Sequence, residues 1–154
     1  MVRMAAEDIG NADPNALVIA VSAMQAFQLI GLPEGELILA QAAVYLATAP
    51  KSNALYIAYG RILETVSKTG SLPVPLHIRN APTKLMKELE YGKDYKYAHD
   101  YSDAYVPQEY FPDKLQGKVL YSPTDAGYEK IIKERITEWR RRKTEAKKGS
   151  EKKG

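Results

Sequence analysis

The sequence predicts an all-α fold, and three observations carry that prediction. Apolar residues recur at helical spacing over three long segments between residues 14 and 69, each closed by Gly or Pro. Helix-start signatures recur along the chain, as Asp13-Pro14, Ser52, Asn80-Ala81-Pro82-Thr83 and Ser122-Pro123. The one short strand candidate, Lys118-Val119-Leu120-Tyr121, has no partner strand.

The chain has 154 residues, enough for one domain with its own core. Residues 1–9 read as a short helical segment stopped at Gly10; it starts without a cap and reads as the end of something longer. Asp13 caps the next helix because its carboxylate accepts orphan backbone N–H bonds, and Pro14 is tolerated at the first helical position. That helix runs through Leu17, Ala20, Val21, Met24 and Phe27 to Gly31 with almost no charge. A helix apolar nearly all round is buried on several sides, which in a small domain points to burial against another subunit.

Pro33-Glu34 starts a second helix through Leu37, Gln41, Val44 and Tyr45, ended by Pro50. Its alanines allow close backbone approach. Ser52 caps a third, through Leu55, Ile62 and Val66 to Gly70; short loops make the three antiparallel neighbours.

Beyond Gly70 the character changes. Leu72-Pro73-Val74-Pro75-Leu76 is extended, since Pro fixes φ and restricts its predecessor. A short helix follows Thr83, and residues 91–110 hold six of the eleven tyrosines in a loop with little regular structure. The last helix is expected to open at Ser122-Pro123-Thr124-Asp125 and to keep an apolar stripe at Tyr128, Ile131, Ile132, Ile136 and Trp139. After Trp139 nothing remains to bury, so the tail is expected to fray. The divisions are thus 1–70, a helical assembly region; 71–139, a loop-rich helical extension packed on it; and 140–154, a basic disordered tail.

Composition removes several chemistries. With no cysteine there is no disulfide framework, zinc-thiolate site or thiol nucleophile. No apolar run reaches the roughly 20 residues of a membrane span. The acidic N-terminus lacks the apolar stretch of a signal peptide, and the expected location is cytoplasmic. The net charge of +3 is uneven: residues 133–154 hold ten Lys/Arg against four Asp/Glu, and the remainder is net −3. Two readings of that basic end stand: a solvated helix end, or a contact to nucleic acid or an acidic partner.

Neither a Gly-x-x-x-x-Gly-Lys-Ser/Thr phosphate loop nor a Gly-x-Gly-x-x-Gly motif is present, so no catalytic, cofactor-binding or metal residue is assigned. His77 and His99 lack further ligands at metal spacing. His99-Asp100 has no accompanying nucleophile, and a structural histidine is the better reading. Tyr95, Tyr97, His99 and Tyr101 alternate, with Lys93 and Lys96 nearby. They serve either as a stacking platform for single-stranded bases or as packing with hydroxyls in water. Arg79, Lys84 and Lys87 stand near a helix start that attracts anions, and a solvated face explains them equally. The candidate contact set is Arg79, Lys84, Lys87, Lys93, Tyr95, Arg140, Arg141, Arg142 and Lys143.

Several stretches together resemble one family. They are Glu7-Asp8-Ile9-Gly10-Asn11-Ala12-Asp13-Pro14, Tyr45-Leu46-Ala47-Thr48-Ala49-Pro50-Lys51-Ser52-Asn53, and Pro73 to Leu89 with His77, Arg79, Asn80, Pro82, Lys84 and Lys87, followed by Tyr97-Ala98-His99-Asp100. From about Arg3 to Ile132 the chain resembles the C-terminal region of RarA/MgsA-type AAA+ ATPases, whose eukaryotic relatives are the Werner-helicase-interacting proteins. Glu90 and Asp94 depart from the pattern, standing where glycine is common. The resemblance implies a clamp-loader-like collar that holds subunits together as a homotetramer. It implies that the motor is missing here, so this piece is no enzyme and holds no cofactor. ATP and magnesium would belong to the parent motor. The parent is implied to be a DNA-dependent ATPase of replication-fork maintenance and recombination, with DNA and single-stranded-DNA-binding protein as partners. The expected subunit interface is Leu17, Val21, Met24, Phe27, Leu37, Gln41, Val44 and Tyr45. The alternative is a DNA- or partner-binding module using the Tyr/Lys loop and the basic tail.

Overall fold

A computed structural model describes residues 1–151, with the backbone alone for Ser102 and residues 147–151. Among the described residues there are six α-helices and no strand, so residues 118–121 are not the short strand considered above. The helices are α1 (Val2–Met4), α2 (Asn15–Ile30), α3 (Gly35–Thr48), α4 (Ala54–Thr69), α5 (Lys84–Glu88) and α6 (Glu129–Glu151). A π-helical turn over Ala5–Ile9 and a 3₁₀ turn over Gly10–Ala12 continue α1 toward α2.

The chain divides into two compact units whose boundaries fall inside α4 and α6. Unit 1 is residues 1–65 with 119–135, and unit 2 is residues 66–118 with 136–154. The expected division fell at residue 70; in these units the chain returns to unit 1 at Val119, bringing the segment before α6 back to the first helices.

In unit 1, Asp13 starts α2 as expected. Its backbone is extended and its Oδ1 accepts the Asn15 N–H at 3.0 Å. Its other oxygen accepts the Tyr45 hydroxyl at 2.6 Å, tying the start of α2 to α3. That bond raises the Tyr45 pKa, because it stabilises the protonated phenol. Helix α2 stops at Gly31, and Ser52 Oγ accepts the Ala54 N–H at 3.2 Å at the start of α4.

The core is built from small residues. Ala5, Ile9, Ala16, Ala20 and Leu46 form the buried cluster, with Tyr45 and Ala49 packed against it. Helix α2 buries Ala16, Ala20 and Ala23, spaced four and three apart, and α3 buries Ala42 and Leu46. Alanine at the contact lets α2 and α3 approach closely. The larger aliphatic side chains consequently point outward. Helix α4 packs extensively on neither α2 nor α3, unlike the antiparallel neighbour expected of it. It buries Ala54, Ala58 and Thr65 and exposes Leu55, Ile57, Ile62 and Leu63.

Helix α6 opens at Glu129, not at Ser122-Pro123-Thr124-Asp125. Two features displace the start. Gly127 has φ of 50°, outside the helical region, and Thr124 is hydrogen-bonded through its N–H and hydroxyl to Glu129. The helix also continues through residues 140–151, within the stretch 140–154 where a fraying tail was expected; residues 152–154 lie outside the described residues. In unit 2, Glu138 accepts two bonds from Arg141, at 2.8 and 2.7 Å, and one from Arg142 at 2.8 Å, while Arg141 reaches Glu145 at 2.6 Å. Such pairs at i,i+3 and i,i+4 support a helix without any apolar stripe. They hold the Glu138 carboxylate down to about pKa 2, with Arg141 the larger influence.

Unit 2 has little apolar interior. Among the described residues, Val106 is its one fully buried hydrophobic side chain. Polar and aromatic contacts organise the rest: the Tyr105 ring stacks on Trp139 at 5.5 Å, and its hydroxyl donates to the Trp139 carbonyl at 2.8 Å. Thr83 caps α5 as expected, accepting the Met86 N–H at 3.3 Å.

Candidate functional site

The most buried polar side chain of unit 1 was not singled out in the sequence. Glu129 is fully buried, and no cation meets it among the described residues. Its Oε2 accepts from Ser52 Oγ at 2.7 Å, Thr124 Oγ1 at 2.7 Å and the Thr124 N–H at 2.8 Å, and its Oε1 accepts from the Tyr121 hydroxyl at 2.7 Å. Burial alone would push this carboxyl up; the three hydroxyls and the amide outweigh it and hold the pKa below the ordinary value. The hub joins three separated stretches of chain, and the Ser52 N–H, donating to the Asp8 carbonyl at 2.8 Å, adds a fourth. Beside it, Asp8, Lys51 and Asn53 border a shallow hollow of about 590 Å³. No sequence signal marks Glu129, because Ser52 lies 77 positions away.

The eight expected interface residues all fall in unit 1, but not alike. Tyr45 packs on the unit's own core, and Phe27 lies against Gly35, where a Cβ would come within 2.7 Å of its ring. Val21 is half-buried. Leu17, Met24, Leu37, Gln41 and Val44 are exposed, Leu37 by 77% and Val44 by 65%. Leu37, Gln41 and Val44 are spaced four and three apart, on one face of α3.

The motif residues divide between the units. In unit 1, Glu7 pairs with Arg3 at 2.9 Å, and the Asn53 carbonyl starts the hydrogen bonding of α4. In unit 2, His77, Arg79 and Asn80 line a hollow of about 560 Å³ together with Tyr95 and Tyr110. Arg79 Nε donates to the Val74 carbonyl at 2.5 Å, and its guanidinium lies over the Tyr91 ring at 4.9 Å. His77 Nε2 and Gln108 Oε1 are buried with no hydrogen-bond partner among the described residues. The exposed rings of Tyr97 and His99 meet at 5.0 Å, tilted by 49°.

The cationic candidates are reordered by their partners. Arg141 is held by Glu138 and Glu145, Arg142 by Glu138 and Asp103, and Lys143 by Glu109. Lys93 pairs with Glu90, and Lys84 lies 4.0 Å from Glu88. Arg140, Lys87 and Lys96 have no carboxylate partner among the described residues, and Lys96 was not in the candidate set. Most of the tail's early charge is therefore already neutralised locally.

The two departures from glycine have a conformational consequence. Glu90 and Asp94 both sit at positive φ, 62° and 61°. Left-handed backbone costs a non-glycine residue about 1–2 kcal/mol. Glu90→Gly is expected to raise stability by about 1 kcal/mol, read as a higher urea midpoint with unchanged slope. Asp94→Gly should gain less, since aspartate tolerates this region better.

Among the described residues no cluster of His, Asp and Glu could hold a metal ion, and no helix is long and apolar enough to cross a membrane. The fold and its surfaces therefore define an all-helical domain, in a chain whose sequence holds no phosphate-binding loop. The family model described as MgsA AAA+ ATPase C terminal matches residues 1–140, and the chain belongs to this family, as its motifs indicated. It is 54% identical over 142 residues to the Replication-associated recombination protein A of Coxiella burnetii, covering 92% of this chain and 32% of that protein. For the protein of the same name from Escherichia coli K12 the identity is 48%, over 86% of this chain and 30% of the relative. The ATPase WRNIP1 of Dictyostelium discoideum is 46% identical over 79% of this chain and 14% of its own length. The chain thus spans about a third or less of these relatives.

Proposed function

We propose that this domain assembles the subunits of a RarA/MgsA-type AAA+ ATPase into a ring-like homotetramer. The single observation carrying this reading is the inverted packing of unit 1. Alanines fill its core while Leu17, Met24, Leu37 and Val44 face outward, with Leu55, Ile57, Ile62 and Leu63 on α4. Exposed aliphatic surface on this scale marks a face that another protein covers. The parent is then a DNA-dependent ATPase that uses ATP and magnesium in its motor. It acts at replication forks with single-stranded-DNA-binding protein, in the cytoplasm.

Light scattering on the chain at micromolar concentration tests the assembly. The expected result is a mass of several chains, with a tetramer preferred. The double variant Leu37→Glu, Val44→Glu places two charges on the α3 face and should weaken association at least roughly 100-fold, leaving monomer. A wild-type monomer, or a double variant that keeps the wild-type mass, would exclude the α3 face.

A second reading is favoured by how charge divides. Unit 1 holds 6 Lys/Arg and 9 Asp/Glu, net −3, whereas unit 2 holds 16 and 10, net +6, of which residues 136–154 carry +5. The acidic unit exposes mostly aliphatic side chains. The basic unit exposes rings at Tyr95, Tyr97, Tyr101, Tyr110 and Trp139, against Tyr56, Tyr59 and Tyr128 in the acidic unit. Cationic surface interleaved with rings suits nucleic acid, and aliphatic surface suits protein.

A further inference from the structure

We infer that the hollow bordered by His77, Arg79, Asn80, Tyr95 and Tyr110 takes an unpaired base of a single-stranded nucleic acid. This inference rests on the second reading above and gives it a site. Four observations converge there.

The first is size: about 560 Å³ falls within the roughly 300–1,000 Å³ typical of small-ligand pockets. The second is the character of its walls. Tyr95 is 57% exposed and Tyr110 49%, and neither hydroxyl is hydrogen-bonded among the described residues. His77 and Tyr110 stand ring to ring at 6.3 Å, tilted by 45°. Flat rings open to water offer faces on which any base can stack.

The third is the supply of donors. Arg79 uses Nε on Val74, and no other guanidinium nitrogen is hydrogen-bonded among the described residues. Its terminal amino groups remain for a phosphate or a base edge. The Asn80 side chain adds a donor and an acceptor at the same rim. Lys96, next to Tyr95 in the chain, is exposed and has no carboxylate partner among the described residues. The fourth is rigidity. The Gly92 N–H donates to the Leu76 carbonyl at 2.8 Å, and the Tyr95 N–H to the Gly92 carbonyl at 3.2 Å, which holds the Tyr95 loop against the His77 turn. The positive φ of Glu90 and Asp94 lies in this same loop, where a strained backbone is kept.

An acidic peptide would be drawn by the same net charge, but aspartate and glutamate carry no planar ring to lie on the exposed tyrosines. The ring faces therefore favour a base. A duplex keeps its bases stacked inside and offers the hollow none.

The test is fluorescence anisotropy of the 154-residue chain with a labelled oligothymidylate of about 15 nucleotides, the span of the larger single-strand sites. The wild type should bind, with affinity falling steeply as salt rises. Tyr95→Ala and Tyr110→Ala should each weaken binding roughly tenfold, and Tyr95→Phe should stay within about twofold, because stacking needs the ring and not the hydroxyl. Circular dichroism on each variant shows that the fold is kept. Oligouridylate in place of oligothymidylate separates an RNA from a DNA ligand. No binding at low salt, alanine variants that bind like the wild type, or polyglutamate displacing the strand equally from wild type and variants would each overturn the inference. Light scattering on the same samples keeps the two readings apart. An assembled chain that binds no strand overturns the second reading and the base site with it, alanine variants that bind like the wild type overturn the base site alone, and a monomer that binds overturns only the assembly.

Discussion

Gly127→Ala is expected to destabilise the domain by about 3 kcal/mol or more, a large fraction of the roughly 5–15 kcal/mol that holds a domain folded. A Cβ at this position would lie 2.1 Å from the Ala12 carbonyl oxygen and 2.8 Å from the Pro50 ring. The first is backbone and has no rotamer to change. It is also held in place, since the Tyr128 N–H donates to that oxygen at 2.8 Å. The φ of 50° adds the left-handed penalty of about 1–2 kcal/mol. The sign of this effect is informative. Were residues 122–128 the first turns of α6, as Ser122-Pro123-Thr124-Asp125 suggested, alanine for glycine would stabilise by about 1 kcal/mol. Thermal unfolding followed by circular dichroism distinguishes the two, and a variant at least as stable as wild type would contradict the observed turn.

Glu129→Gln is the second large effect. The substitution keeps shape and removes charge, placing an amide donor among groups that already donate. The Gln oxygen can still accept the Thr124 N–H and the Ser52 and Thr124 hydroxyls, but its NH2 then faces the Tyr121 hydroxyl, whose oxygen already accepts from Asn11 Nδ2 at 3.4 Å. A loss of about 3 kcal/mol is expected, lowering the melting temperature by roughly 6–12 °C. The pH dependence carries a sign. The folded carboxyl lies below its ordinary value, so its contribution is complete above the unfolded pKa and is lost as pH falls through the lower, folded one. Wild-type stability should therefore decline on acidification below about pH 4.5, and the Gln variant should show a flatter profile over that window. Parallel profiles would mean that other carboxylates dominate the acid response.

Local signals were read correctly where they were sufficient. Asp13 at the start of α2, Ser52 at α4, Thr83 at α5 and the stops at Gly31 and Gly70 follow from chemistry within four residues. The loop over 91–110 was legible because its residues form no apolar stripe. The same local signal misled at Ser122-Pro123, because a buried carboxylate five residues on takes the Thr124 groups a helix would have used. At the tail an absent apolar stripe predicts fraying, while the Glu138, Arg141 and Arg142 spacing supports a helix by charge alone. Most of the candidate nucleic-acid residues were visible in the sequence. That Tyr110 joins Tyr95 and His77 around one hollow, and that Arg141, Arg142 and Lys143 are already paired, was not.

By itself the sequence determined the helical class, most of the helix ends, the absence of a phosphate-binding loop and the family, since each rests on residues close together in the chain. Only the tertiary structure decided which apolar residues are core. Periodicity marks a face as apolar without saying which of its side chains meets the neighbouring helix. Here the alanines do, which leaves Leu17, Met24, Leu37 and Val44 outside. The tertiary structure alone likewise brought Ser52, Tyr121, Thr124 and Glu129 together, because a buried charge is satisfied by whatever donors the folded chain carries to it, however far apart in sequence.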